Sequence, residues 1–133
     1  MLCQDPLVHL VPAERRGRRV LDGEQVCRAV DAIGDPADLA VWATRFALLG
    51  DQTRMMVLLA IAEAGPICVT DLATATGVND TTVSQCLRLL RAAGTVVGRR
   101  DGRIIRYRLA DQEVGQLLKR LTKPAISRRH AVN

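Results

Sequence analysis

Aromatic residues are nearly missing from this chain: Trp42, Phe46 and Tyr107 are the three among 133 residues. Basic patches that settle on a membrane surface usually carry exposed aromatic anchors, so that role is disfavoured. No apolar run approaches the roughly 20 residues that span a bilayer. Met1 to Arg19 shows no basic segment leading into an apolar stretch, so no signal peptide is expected and the expected location is cytoplasmic. Histidine is scarce too, with His9 and His130 near opposite ends. Without clustered acid, base and nucleophile, and with neither a Gly-rich phosphate loop nor an HExxH motif, the chain does not read as an enzyme. Cys3, Cys27, Cys68 and Cys86 form no CxxC pair, which removes the strongest local zinc signal.

Lysine is the last scarcity, and it points to function. Of 19 basic residues only Lys119 and Lys123 are lysine; the rest are arginine, against 14 acids and a net charge of +5. Between Thr81 and Leu109 lie seven arginines and one acid, Asp101. That segment's +6 exceeds the charge of the whole chain. The planar guanidinium fork suits phosphate oxygens, so a concentrated arginine segment implies an anionic partner. Length and a 48% hydrophobic content fit one compact domain.

The chain divides into an arm at 1–22, a folded domain at 23–122 and a frayed tail at 123–133. The arm holds Pro6, Pro12, Gly17 and a cluster of four arginines, Arg15, Arg16, Arg18 and Arg19, without sustained period. Gly23 to Ile33 reads as a short helix with Val26, Ala29, Val30 and Ile33 on one face. Asp35 caps a second helix, with Pro36 at its first position and a stripe of Leu39, Trp42, Phe46 and Leu49. Asp51 caps a third with Met55, Leu58, Leu59 and Ala62 inward. Thr70 is read as the cap of a short helix ending at Gly77, and Asn79 or Asp80 as the cap of a further helix closed by Gly94. Asp101-Gly102 between β-rich runs predicts a hairpin. Asp111 then caps a last helix with Val114, Leu117, Leu118 and Leu121 on its apolar stripe.

Two short helices across a turn, followed by a basic hairpin, predict a mainly α winged helix-turn-helix with a β-hairpin wing. In such a module the second helix enters the major groove of DNA and the wing follows the backbone. With Val83, Leu87 and Leu90 inward, Thr81, Thr82, Ser84, Gln85 and Arg88 face outward, and their hydroxyl, amide and guanidinium groups can bond base edges. Arg91, Arg99, Arg100, Arg103, Arg106 and Arg108 are suited to phosphates, which supply affinity without sequence information. A solvated basic surface is the plainer alternative; its position on a helix-turn-helix and wing favours DNA.

The same residues resemble a family. Ala47-Leu48-Leu49-Gly50-Asp51-Gln52-Thr53-Arg54-Met55 is similar to the "ALxDPTRL" segment of ArsR/SmtB repressors, with Gln52 where Pro is usual. Ser84 to Gly94 resembles their "SxHLxxLRxAG" recognition helix, with Cys86 in place of His. Asp101 to Leu109 matches the wing pattern "xGRxxxYxL". The resemblance runs from about Leu39 to Leu118. It implies a homodimer built from the first and last helices, bound to a nearly two-fold symmetric operator and released by a metal or other inducer.

It also orders the ligand-capable residues. Pro66-Ile67-Cys68-Val69-Thr70-Asp71-Leu72 resembles the family's "ELCVCDL" metal box, with Cys68 kept and Thr70 in place of the second Cys. A site on Cys68 must therefore recruit donors elsewhere, and some relatives complete the box with arm cysteines of the other protomer, a role open to Cys3 and Cys27. A small buried Cys at a helix start is the structural alternative for Cys68, and core packing stays open for Cys27. Cys86 lies beside the inward face of its helix, which favours packing. At the family's last-helix site Asp111 and Glu113 hold the first pair of positions, but Pro124 and Ser127 fall at the second, leaving His130 or His9 as substitutes. Thiolate donors favour Cd, Pb, Zn or As(III); oxygen and nitrogen donors would favour Ni or Co. The competing expectation is a redox or persulfide thiol switch on the same DNA-binding dimer. A constitutive DNA binder with purely structural cysteines is a third reading.

Overall fold

A computed structural model describes residues 10–121. They divide into two compact units, one ending at Thr44 and one beginning at Arg45, a boundary that falls inside a helix.

In the first unit a single 3-10 turn, Ala13–Arg15, lies within the expected arm. Helix α1, Gly23–Ile33, starts where Asp22 accepts the N–H of Gln25 and stops at Gly34. Its buried residue is Cys27, packed with Val11 and flanked by Val20, Val26 and Val30. The expected stripe was turned by one position: Ala29 and Ile33 are exposed. Helix α2, Pro36–Leu49, runs on into the second unit. Of its expected stripe only Leu49 is buried, while Leu39 and Phe46 are about half exposed at 46% and 55%.

The second unit carries a continuous apolar core. Helix α3, Gln52–Ala64, is capped by Asp51, which accepts the N–H of Arg54 at 2.9 Å. The Arg54 guanidinium turns back and donates to the carbonyls of Leu48 and Ala47, closing the end of α2. Strand β1, Ile67–Cys68, leads into α4, Val69–Thr76. Asn79 caps α5, Asp80–Ala92, by accepting the N–H of Thr82 at 2.8 Å. Strands β2, Val96–Asp101, and β3, Ile104–Leu109, form the hairpin. A last helix, α6, begins at residue 112 and is described to 121.

Leu58, Ile61, Leu72, Leu87, Leu90 and Leu118 are the largest buried side chains, joined by Val57, Val83 and Val114. These link α3, α4, α5 and α6 into one cluster with Val96 and Tyr107 of the hairpin. At roughly 1.5–3 kcal/mol for each fully buried aliphatic side chain, this cluster dominates the stability of the unit.

Three local expectations are corrected. On α3 the deepest positions are Val57, Leu58 and Ile61; Met55, Leu59 and Ala62 are half-buried, because the helix is covered on two sides rather than along one stripe. Helix α4 begins one residue before Thr70, with Cys68 at the N-cap and no side-chain cap bond, because the chain enters directly from β1. The hairpin turn lies one residue later than Asp101-Gly102: Asp101 pairs with Ile104, so Gly102 and Arg103 form the turn. Gly102 takes a φ of +64° there, which costs glycine no Cβ clash. Strand β1, which had no sequence signal, completes an antiparallel sheet of order β1-β3-β2.

Candidate nucleic-acid interface

Helix α5 buries one face and exposes the other. Val83, Leu87 and Leu90 are at most 1% exposed, while Thr81, Ser84, Gln85, Arg88 and Arg91 all lie open to solvent. Thr82 differs from its expected position: it is half-buried in the first turn, and its N–H is held by Asn79. Asn79 ends the turn that follows α4, so the cap fixes where α5 starts and thus which face turns outward. An open groove of about 490 Å³ runs between α5 and the sheet, lined by Ser84, Arg88, Arg91, Ala92 and Tyr107.

The hairpin separates its residues by alternation. Gly98, Ile105 and Tyr107 share the face that packs toward α5; a Cβ on Gly98 would lie 2.9 Å from Ile105 and 3.0 Å from the Tyr107 ring, so only glycine fits beneath that ring. The other face presents Arg99, Asp101, Arg106 and Arg108. There Arg106 donates to Asp101 at 2.9 Å, an exposed pair worth little stability. Arg100 and Arg103 lie exposed toward the tip.

The cysteines are dispersed. Cys68 is half-buried at the end of β1, with Arg106 as its partner across the ladder. Cys27 is buried in the first unit. Cys86 is half-buried on α5; burial pushes its thiol pKa up, nearby Asp51 adds to this and Arg54 partly offsets it. Cys3, His9 and His130 lie outside the described residues. Among the described residues no three His, Cys, Asp or Glu side chains are grouped as a metal ion would require.

At the start of α6 the carboxylates have other partners. One oxygen of Asp111 accepts the N–H groups of Glu113 and Val114, capping the helix. Its other oxygen accepts Nε of Arg45 at 2.9 Å, and Glu113 accepts Nη1 of the same arginine at 3.1 Å. Burial works to raise the Asp111 carboxyl, but the hydrogen bonds from Arg45 and the helix N–H groups outweigh it and hold the pKa below the ordinary value. A guanidinium thus sits where the resemblance had put a metal. Sequence reasoning missed Arg45, which lies 66 residues from Asp111 with no local motif. It also gave no role of its own to Arg54, although the carbonyls that accept from its guanidinium, those of Leu48 and Ala47, lie only six and seven residues before it.

Residues 51–96 match the model of the family described as bacterial regulatory protein, arsR family. The regulator NmtR of Mycobacterium tuberculosis is 46% identical over 76 residues, 57% of this chain and 62% of that protein. A transcriptional repressor SmtB homolog from Synechocystis is 35% identical over 118 residues, 89% of this chain and 79% of that one. Among solved structures, the antimony-specific transcriptional repressor AntR is similar with a TM-score of 0.63 at 32% identity, covering 73% of this chain and 86% of that one. The homodimeric winged helix-turn-helix domain of a possible ArsR-family regulator from Mycobacterium bovis gives 0.58 at 33%, covering 71% and 85%. The match to NmtR thus spans under two thirds of that relative's length.

Proposed function

From this chain's membership of the ArsR family of bacterial regulatory proteins, which are not enzymes, we propose that it is a cytoplasmic transcriptional repressor that binds operator DNA as a homodimer. The observation that carries the reading is the open row of Thr81, Ser84, Gln85, Arg88 and Arg91 on a capped α5, beside a hairpin bearing five arginines. Gln85 and Arg88 are the groups suited to base edges, with Gln matching adenine and Arg guanine. Thr81, Thr82 and Ser84 add short hydroxyl contacts. Arg91, Arg100, Arg103 and Arg106 meet phosphates. The half-exposed apolar residues Leu39 and Phe46 of α2 and Leu121 of α6 suit the covering that a second copy provides. No helix among the described residues is long and apolar enough to cross a membrane.

The effector proposed is a thiophilic metal ion, Cd, Pb, Zn or As(III), taken by the thiolate of Cys68. The described residues do not assemble a donor set around Cys68. Completion therefore falls to cysteines of the partner protomer, Cys3 of its arm first, since Cys27 is packed with Val11 and would have to leave that packing to serve. Asp111 and Glu113 both accept from the single Arg45 guanidinium, whose one positive charge offsets only half of theirs; with these carboxylates already engaged, Ni or Co is the weaker proposal. Cys86 is half-buried, burial raises its thiol pKa, and no donor cluster is grouped around it among the described residues. By linkage, the ligand weakens DNA binding only as far as it prefers the DNA-incompetent dimer, typically by about 1–3 kcal/mol.

A second reading keeps the DNA-binding dimer and makes the switch a thiol oxidation or persulfide bridge, losing two electrons to a peroxide or sulfane-sulfur donor. Operator binding titrated with Cd, Zn, Pb, arsenite, Ni and Co under full reduction, for the wild type and Cys68→Ser, separates the two. Release by a thiophilic ion that is lost in Cys68→Ser supports the metal reading. Release only on addition of an oxidant or sulfane sulfur overturns it.

A further inference from the structure

The four arginines ahead of α1 stand on an ordered turn, although the sequence shows no period there. Val11 before them is buried against Cys27 of α1, and Val20 after them packs on the same small cluster. Between these two anchors the chain folds on itself. Arg15 donates its N–H to the carbonyl of Pro12, Arg16 to that of Ala13 and Arg18 to that of Arg15. The Arg16 guanidinium also donates through Nε to the carbonyl of Val11 at 3.2 Å, tying the turn to its first anchor. Arg15, Arg16, Arg18 and Arg19 are all exposed.

Charge in this unit is sorted along the chain. Residues 15–19 hold four arginines and no acid, whereas residues 22–38 hold five acids and one arginine, Arg28. A cluster that served to neutralise those acids would pair with them. Yet the ion pairs among the described residues belong to Arg45 and Arg106, and none to the turn. Like charges held together repel, and a polyanion laid across them relieves that repulsion. Because the turn is already seated on α1, little ordering entropy is left to lose when a partner binds.

We propose that the turn from Arg15 to Arg19 binds backbone phosphates of duplex DNA, as a contact separate from α5 and the wing. The inference rests on the reading of the chain as an operator-binding protein. Guanidinium forks fit phosphate oxygens, and a duplex with one charge per about 1.7 Å of axis offers several to a cluster of four. An anionic lipid surface presents phosphates too, but residues 10–22 contain no aromatic anchor.

The test is the salt dependence of binding to operator and to random duplex of equal length. Arg18→Ala combined with Arg19→Ala leaves the Arg16 tie in place. It is expected to lower affinity about 10-fold on both duplexes and the salt slope by roughly 2. The preference for operator over random DNA should stay unchanged, which a misfolded α5 would not allow. Arg18→Lys with Arg19→Lys keeps the charge and should recover most of the slope. Lys119→Ala with Arg120→Ala removes the same charge from exposed positions of α6 and should leave the slope unchanged. An unchanged slope in the turn variant, or an equal drop in the α6 variant, overturns the inference. Intact DNA binding with lost binding to phosphatidylserine vesicles would assign the turn to a membrane and overturns it as well. A wild type that does not prefer operator to random DNA overturns the operator reading instead, whatever the turn variant does.

Discussion

Leu87 on α5 and Phe46 on α2 both sit on clean helical stripes, yet the first is 1% exposed and the second 55%. The contrast extends to the regions around them. From α3 onward the stripes of Leu58, Val83, Leu90 and Leu118 meet one another in a single core. In residues 10–44 the buried set is small, Val11 and Cys27 with three partly buried valines, and Ile33, Leu39 and Val41 stay about half exposed. Periodicity shows which face of a helix is apolar; it does not show what covers that face. Where the same chain supplies the cover, the residue is core. Where it does not, a second copy is the proposed cover.

That comparison can be broken by substitution. Leu87→Ala should cost about 2–5 kcal/mol of unfolding free energy, because it leaves a void in a closed cluster. Phe46→Ala should cost much less unfolding free energy than Leu87→Ala and shift the monomer–dimer equilibrium toward monomer. Chemical denaturation and sedimentation, run on both variants, check the pair. If Phe46→Ala destabilises as strongly as Leu87→Ala without affecting association, the distinction between the two faces is wrong.

Gly98→Ala comes next in size. The new Cβ meets Ile105 and the Tyr107 ring at 3.0 Å or less, so a loss of about 1–3 kcal/mol is expected, with wing contacts to DNA weakened alongside. Asp111→Ala removes the α6 cap and should cost about 1 kcal/mol. Its pH signature is specific. The Asp111 carboxyl is held below its ordinary value near 4, so its contribution is fully present above that pH and is lost as pH falls through the lower, folded-state pKa. Unfolding curves of wild type and Asp111→Ala should therefore converge in acid and separate above about pH 4. The smallest effect concerns Cys86, whose raised pKa and partial burial should make it react with iodoacetamide more slowly than an open thiol at neutral pH, as mass spectrometry would record.

Much of the fold was legible because its signals are local. Asn79 before Asp80, Asp51 before α3, Gly77 after α4 and Gly102 in the hairpin turn act within a few residues, though the turn itself lies one residue later than Asp101-Gly102. The outward face of α5 followed from where Val83, Leu87 and Leu90 had to go. Contacts between distant segments were not legible. No pattern announced that two residues, Ile67 and Cys68, would pair with β3 and place Cys68 opposite Arg106. Nor did anything local mark Arg45 as the partner of Asp111 and Glu113, whose carboxylates looked available in sequence. The seven arginines from Arg88 to Arg108 were countable at once, but which of those in the hairpin share a face needed the register of the strands, which sets Arg99 opposite Arg106 and Arg100 opposite Ile105.

The central claim is a division of labour between a base-reading helix and a phosphate-binding wing. It is tested most directly by measuring the salt dependence of binding to operator and to random duplex for wild type, Gln85→Ala and Arg103→Ala. Gln85→Ala should narrow the preference for operator over random DNA while leaving the salt slope unchanged. Arg103→Ala should weaken both complexes alike and reduce the slope by roughly 1. Parallel losses from both substitutions, on operator and random DNA with the same salt slope, would contradict it.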